Sequence, residues 1–263
     1  MHCFSSMQSL RNLCGGIIFP QALLCLIRLP DIPAESAEEE SMLVMAKGGL
    51  KFLRKNPLVL YVILFMAGVN LIASAFDAVL PALIIPREGS STLGIVTSCS
   101  GIAMVLGSLI ASVMPRPKER VRTIYLTMLF SLGTENYLLA FSRNPAIWCI
   151  GQVLGWILVP VMSANQDVIM RNTIPVALQG RVYACRNTLQ FFTIPIGLTL
   201  GGFMVDRICE PFIATNQSGW LTMLFGSGKG AGASLMMFVL GAAGTFLCLA
   251  SGRKLKQYQY KEE

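Results

Sequence analysis

The chain has 263 residues, of which 54% are hydrophobic and only 13% are charged, and its mean hydropathy is +0.60. Soluble domains carry charge on about a quarter of their residues, so this composition excludes an ordinary soluble fold. The net charge of +7 does not indicate nucleic-acid binding, because the basic residues form short clusters beside apolar runs rather than a stripe on a polar surface.

Seven apolar runs follow one another, and each is about long enough to cross a ~30 Å hydrocarbon layer as a helix. They are residues 13–29, 58–84, 93–114, 124–141, 147–170, 189–205 and 234–250. The sequence therefore predicts an all-α polytopic membrane protein with seven transmembrane helices. The first run can also be interpreted as a cleaved signal peptide, but export at that point would place the basic residues of 47–55 outside, against the charge rule.

The lysines and arginines divide unequally between the two sides of this predicted bundle. Sixteen of the 21 fall on one side, and five fall on the other: Arg11, Arg87, Arg143, Arg207 and Lys229. Positively charged connections stay in the cytoplasm. We therefore expect a multi-pass protein of the cell membrane, in contact with the lipid bilayer, whose second run goes outward and whose C-terminus is cytoplasmic.

The longest polar connection, residues 31–57, begins acidic and then becomes basic, with hydrophobic residues interleaved among the lysines. This pattern predicts a short amphipathic helix on the inner leaflet that ends at Asn56-Pro57, or else a flexible linker with a basic end. We accordingly divide the chain into a first span (1–30), a cytoplasmic linker (31–57), a six-helix bundle (58–251) and a basic cytoplasmic tail (252–263).

The later connections are predicted to be short turns at 86–92, 115–122 and 142–145. Residues 172–187 are expected to form a link on the inner side, because Pro175 and Gly180 break the helical pattern. Residues 208–233 are predicted to form a longer outer loop with a glycine-rich end, whose spacing does not match a phosphate-binding loop.

Residues typical of catalysis or metal binding are scarce. The eight cysteines include no C-x-x-C pair, and the single histidine is His2, near the N-terminus. No nucleophile–base pair, metal cluster or nucleotide loop is recognisable. We expect no enzyme activity, no metal and no cofactor.

A family resemblance enters at residues 179–189, which read Gln-Gly-Arg-Val-Tyr-Ala-Cys-Arg-Asn-Thr-Leu and continue through 195–197 to 201–207. This stretch resembles the link before the eleventh helix, and that helix itself, in exporters of the major facilitator superfamily, closest to the macrolide- and siderophore-exporting type. Residues 48–53 resemble the basic segment before helix seven, and residues 225–232 the segment before helix twelve. The resemblance covers about residues 13–263 and matches helices six to twelve.

The resemblance implies that residues 58–251 form the C-terminal six-helix half of a secondary-active transporter. Such a protein would export hydrophobic, macrolide-like compounds by alternating access, with proton coupling, and would need an N-terminal half-transporter as a partner. Because the first five helices of the family have no counterpart, we expect a piece of a longer or split protein. The alternative is a transport-inactive or partner-dependent membrane fragment.

Ionisable groups inside a bilayer are expensive, so each one is a candidate for the substrate or proton pathway. Asp77 and Glu135 are protonatable, although both lie toward the outer ends of their runs and can instead reach water. The polar candidates for the same pathway are Asn70, Asn136, Asn165 and Gln166. Asn70 can equally form a hydrogen bond to a neighbouring helix.

The remaining candidates are gating or structural pairs. Asp167 and Arg171 are spaced i and i+4, which predicts a pair on one helix surface. Asp206-Arg207 ends a G-x-x-x-D-R pattern that resembles a latch between helices in the family, and Arg181 joins this group through its place in the resembling link. The glycine pairs Gly151/Gly155 and Gly197/Gly201 predict close helix packing.

Overall fold

The structure is a computed structural model that describes residues 42–115, 117–216 and 219–255. Within these ranges every regular element is a helix. The elements are α1 (Met42–Lys55), α2 (Pro57–Val113), α3 (Arg120–Phe141), α4 (Pro145–Trp156), α5 (Val159–Thr173), α6 (Val176–Phe191), α7 (Thr193–Met204), a π-helical turn (Val205–Cys209), α8 (Glu210–Thr215), α9 (Gly219–Phe225) and α10 (Ala231–Leu255). The first predicted span, the acidic part of the linker and the end of the basic tail lie outside the described residues.

α2 consists of two helical parts that meet at Gly89. This residue has φ 81° and ψ 174°, a conformation that glycine adopts without the steric cost of a Cβ atom. The first part of α2 runs beside α10, where the Leu83 carbonyl lies against Gly230. The second part runs beside α4 and α5, where Gly107 lies against the Ile157 carbonyl. The chain thus leaves helical geometry within the predicted connection between the second and third apolar runs.

The helices define two ends of the bundle. The Gly89 end carries Gly89, the turn at Asn144 and the glycine-rich loop 226–230. The Pro175 end carries Asn56, before α2, and Pro175, before α6.

α4 and α5 form one interrupted span over Pro145–Thr173. α4 ends at Trp156 and α5 begins at Val159. Because Pro160 has no N–H group, the Trp156 carbonyl four residues earlier has no helical donor. The predicted run 147–170 is therefore helical at both of its ends and broken near its middle.

The prediction of a connection over residues 172–187 is wrong. α6 begins at Val176, directly after a proline, and Gly180 lies inside it. A glycine costs a helix about 1 kcal/mol relative to alanine. Packing against α1 offsets that cost, because α6 comes so close that a Cβ on Gly49 would lie 2.7 Å from the Arg181 carbonyl.

Both predicted glycine pairs are contact points between helices, as expected. A Cβ on Gly201 would lie 2.6 Å from the Ala75 carbonyl of α2, and Gly197 faces Ser74 one turn away. Gly151 and Gly155 of α4 pack in the same way against α3. Small residues let these backbones approach closely, as in other helix pairs within membranes.

Four stretches of the described chain are long and apolar enough to cross a membrane. They are Pro57–Val113, Pro145–Thr173, Val176–Thr215 and Ala231–Lys254. The first of them contains two predicted spans, and α3, which carries Arg120, Arg122 and Glu135, is not among the four. The protein is therefore an all-α membrane protein, while the count of seven spans stays a prediction.

α1 packs on the bundle through one side. Leu53 is fully buried in a cluster with Ile63, Met170 and Val182, whereas Leu50 is 41% exposed. The helix is thus two-sided, with its apolar side against α2, α5 and α6. Its predicted place on the inner leaflet stays a prediction.

Candidate functional site

Glu135 on α3 is a buried carboxylate in an apolar bundle. Its side chain is 6% exposed, and its Oε1 accepts a hydrogen bond from the indole Nε1 of Trp156 at 2.9 Å. Its other side packs on Gly155, where a Cβ would lie 2.6 Å from Oε2. One turn earlier, the Ser131 hydroxyl donates to the Gly155 carbonyl. Two polar contacts therefore tie α3 to the end of α4.

Asp77, the second predicted carboxylate, lies on the first part of α2. Its side chain is exposed, while its neighbours Phe76 and Val79 are buried. Of the two predicted acidic residues, Glu135 is therefore buried and Asp77 is exposed.

Asn70 makes the helix-to-helix contact that the sequence left open as an alternative. Its Nδ2 donates to the Gln190 carbonyl of α6 at 3.1 Å. Thr193 also donates to the Gln190 carbonyl, at 2.7 Å, and to the Ala67 carbonyl at 3.0 Å. Asn70 therefore joins α2 to the junction of α6 and α7.

Asn136 does not lie with Glu135. It is fully buried, its Nδ2 donates to the Leu132 carbonyl at 2.8 Å, and its Cβ faces Gly241 of α10. Successive residues of a helix point about 100° apart, so neighbours in sequence reach different helices. Asn136 belongs to the interface between α3 and α10.

Asn165 and Gln166 are also buried, at 5% and 2% exposure. The Asn165 Oδ1 accepts from Arg120 Nη1 at 3.2 Å, and its Nδ2 donates to the Val161 carbonyl at 2.8 Å. Asn165 therefore links α5 to the start of α3 at the Pro175 end. The structure places it about two turns of α5 beyond the helix break.

Asp167 pairs with Arg186 of α6 instead of the predicted Arg171. The Arg186 Nη1 lies 3.2 Å from the Asp167 Oδ1, and its Nε donates to the Gln190 Oε1 at 3.3 Å. Arg171 is exposed on the helix surface. An exposed i,i+4 pair contributes only a few tenths of a kcal/mol. The side chain of Arg186 is only 18% exposed and offers Asp167 a better-shielded partner.

The other predicted gating residues lie on different elements. Asp206 and Arg207 are exposed on the π-helical turn between α7 and α8. Arg181 is partly buried on α6, beside Gly48 of α1. Their gating role stays a prediction.

Arg87 was not singled out from the sequence, yet it organises the Gly89 end. Its Nη2 donates to the Phe225 carbonyl at 3.1 Å, the Gly230 carbonyl at 2.9 Å and the Ser234 Oγ at 3.0 Å. The Glu210 carboxylate accepts from the Gly230 N–H at 2.8 Å. We call this set of contacts the Arg87 clasp. Its acceptors lie well over a hundred residues away, so no local pattern could have revealed it.

The sequence analysis also missed Trp156, although the sequence contains Pro160, which is a signal for an interrupted helix.

A wide groove of about 1490 Å³ opens on the flank of α3 and α4, lined mainly by apolar side chains such as Leu129, Phe130 and Tyr137. Neither Glu135 nor Asp77 lines it. We therefore place the candidate site at Glu135 and Trp156 and not in the groove, while Asp77 stays a predicted pathway residue.

Comparison with known proteins gives two kinds of relative. The chain is 28% identical over 180 residues to the multidrug efflux pump Tap of Mycolicibacterium fortuitum, which covers 66% of this chain and 42% of the pump. It is 26% identical over 209 residues to the enterobactin exporter EntS of Escherichia coli O1:K1, which covers 78% of this chain and 49% of the exporter. No family profile matches the chain, and no solved structure matches it.

The matches confirm the predicted resemblance to exporters of the major facilitator superfamily over part of their length. The chain spans less than half the length of these curated relatives. Both relatives are efflux proteins by name. Within the described residues, no group of three or more His, Cys, Asp or Glu is placed to hold a metal ion.

Proposed function

We propose that the chain forms the C-terminal half of a secondary-active exporter of hydrophobic, macrolide-like compounds, driven by protons and working by alternating access. The observation that carries the proposal is the buried Glu135 carboxylate, which lies in a bundle with four long apolar helical stretches. Buried carboxylates are expensive in a membrane and mark ion or proton pathways. The efflux function of the relatives supports the same conclusion.

The different exposure of the two carboxylates suggests different roles. Glu135 is shielded and held by Trp156, which suits a group that binds the coupling proton. The Asp77 side chain is exposed on the surface of the described bundle. This exposure suits contact with the transported compound. Asn70, Asn165 and Gln166 stay candidates for the pathway wall.

The proposal includes a partner, a second six-helix bundle that closes the pathway. The second part of α2 has an apolar face that points away from the bundle. Its residues Ile95, Val105 and Leu109 are each about 60% exposed or more. Phe192, between α6 and α7, and Phe203 of α7 are likewise exposed, at 71% and 59%. Such faces need lipid or another helix bundle as neighbours.

We propose that the Pro175 end faces the cytoplasm. Arg122, Arg171, Arg253 and Lys254 are exposed there, while Arg207 and Lys229 lie toward the opposite end. Positively charged segments remain on the cytoplasmic side during insertion. The C-terminus after α10 would then be cytoplasmic and the protein would lie in the cell membrane.

Export can be tested in cells that express the chain together with a six-helix N-terminal exporter half. We expect lower accumulation of a macrolide or a lipophilic dye, and loss of this effect on adding a protonophore. Glu135→Gln should abolish export, whereas Glu119→Gln, a matched change at an exposed surface pair, should leave it unchanged. Export that continues in the presence of the protonophore would reject proton coupling.

A second candidate is a transport-inactive or partner-dependent membrane fragment. The chain spans 42–49% of the lengths of the relatives that it matches. Crosslinking in native membranes separates the two candidates. A stoichiometric six-helix partner supports the exporter, and its absence together with no export from the joined halves supports the fragment.

A further inference from the structure

The Glu135 carboxylate is held on both sides by two consecutive residues of α4. Trp156 donates its indole N–H to Oε1 at 2.9 Å. On the other side, a Cβ at position 155 would lie 2.6 Å from Oε2, so Gly155 leaves the space that the carboxylate occupies. The contact therefore requires a hydrogen-bond donor at position 156 and a residue without a Cβ atom at position 155.

The same two residues lie where the α4–α5 span is interrupted. α4 ends at Trp156, and Pro160 leaves the Trp156 carbonyl without a helical N–H partner. The Gly155 carbonyl receives the Ser131 hydroxyl. Glu135 and Ser131 therefore contact the two residues that directly precede the interruption of the span.

The charges around Glu135 do not balance it. The contacts of its carboxylate are with the neutral indole of Trp156 and with Gly155, both on α4. Within the described residues, the salt bridges Arg122–Glu119 and Arg186–Asp167 involve other carboxylates. An uncompensated charge inside a bilayer is costly, and binding of a cation offsets that cost.

A proton suits this site better than a metal cation. Hard metal ions require several oxygen ligands, commonly six or more. Here an N–H donor occupies Oε1 and presents its positive edge toward the carboxylate, which disfavours a metal ion beside it. A proton on Oε2 needs no further ligand and leaves the indole hydrogen bond in place.

We propose that Trp156 is a positioning residue for proton binding at Glu135. Its indole holds the carboxylate at the break between α4 and α5, so that gain or loss of the proton changes the surroundings of the indole. The place of this step in transport rests on the proposed function, but the step itself is a property of this chain and can be measured on it alone.

Tryptophan fluorescence provides the first test. The chain has three tryptophans, Trp148, Trp156 and Trp220, so replacing the first and third with phenylalanine leaves Trp156 as the sole emitter. In lipid nanodiscs we expect one pH-dependent change in emission, retained in the surface control Glu119→Gln and absent in Glu135→Gln. A change that persists in Glu135→Gln, or no change in the parent, overturns the proposal.

Infrared difference spectroscopy provides a second test on the full chain with all its tryptophans. We expect a protonated-carboxyl C=O band that disappears in Glu135→Gln and remains in the surface control Glu119→Gln. In Trp156→Phe the band should move, because Oε1 loses its hydrogen bond. A band that stays at the same frequency in Trp156→Phe would show that Trp156 does not position the carboxyl group.

These experiments test the inference separately from the proposed function. Proton-coupled export with no Glu135-dependent signal would reject the inference and leave the exporter in place. Glu135-dependent signals in a chain whose joined halves export nothing would reject the exporter and leave the proton site. Where export is measurable, Trp156→Phe should shift its pH profile more than its maximal rate.

Discussion

Arg87 illustrates how one side chain can connect distant parts of the chain. A single guanidinium nitrogen serves the Phe225 carbonyl, the Gly230 carbonyl and the Ser234 hydroxyl, all at 3.1 Å or less. Hydrogen bonds from a charged donor contribute more to stability than neutral ones. The Gly89 end therefore depends on one residue that carries no role in the candidate site.

Replacing Arg87 with methionine should destabilise the bundle, because the long apolar stem remains while the carbonyls of the clasp lose their donor. We expect a loss of about 1–3 kcal/mol in the free energy of unfolding. Thermal unfolding in detergent, followed by circular dichroism, measures it. Arg253→Met, at an exposed position near the end of α10, is the matched control and should change little. Equal midpoints for the two variants would contradict the clasp.

At the site itself, the sequence could identify residues but not their partners. Glu135 and Asp77 were recognisable because a carboxylate inside an apolar run is costly wherever it points. The partner of Asp167 was predicted within its own helix and is Arg186 on another. Trp156 and Asn136 depend on which neighbouring helix each faces, and a single sequence without tertiary contacts does not contain that information.

Among the elements, the contact between α7 and α2 offers two adjacent glycines with opposite surroundings. A Cβ on Gly201 would lie 2.6 Å from the Ala75 carbonyl, whereas a Cβ on Gly202 would meet nothing within 4 Å. Gly201→Ala should therefore cost about 1–3 kcal/mol through overpacking. Gly202→Ala should be neutral or stabilise by up to about 1 kcal/mol through helix propensity. Denaturation of both variants tests this, and similar effects would count against the close contact.

The attachment of α1 can be tested with two leucines on the same helix. Leu53 is fully buried against the bundle, and Leu50 is 41% exposed. Leu53→Ala should loosen α1, with a local cost of about 2–5 kcal/mol, and speed tryptic cleavage at Lys51 and Lys55. Leu50→Ala should leave the cleavage rate nearly unchanged. Equal rates would indicate that α1 is not held by this cluster.

The helices were predicted well where hydrophobicity alone determines them, and poorly where packing does. The runs 58–84 and 93–114 correspond to the two parts of α2, because long apolar segments need no other signal. Pro175 and Gly180 predict a link over residues 172–187. The proline does precede the helix, but the glycine inside α6 is tolerated because α1 packs against that helix.

For the whole molecule, the distribution of basic residues predicts which end can be reached from outside the cell. Lys118 is exposed near the Pro175 end and Lys229 is exposed in the loop at the Gly89 end. In a background without native cysteines, Lys229→Cys should react with a membrane-impermeant maleimide in intact cells. Lys118→Cys should react only after the membrane is opened. The reverse pattern would invert the proposed orientation.

The Arg87 clasp also has a consequence for the time course of biosynthesis. Its acceptors lie 138, 143 and 147 residues farther along the chain than Arg87 itself. At translation rates of roughly 5–20 residues per second, the ribosome needs about 7–30 s to supply them after Arg87 has been made. During that interval the guanidinium must remain in water or against lipid headgroups. The end of the bundle that contains Gly89 is therefore completed late, once α10 has begun to enter the membrane.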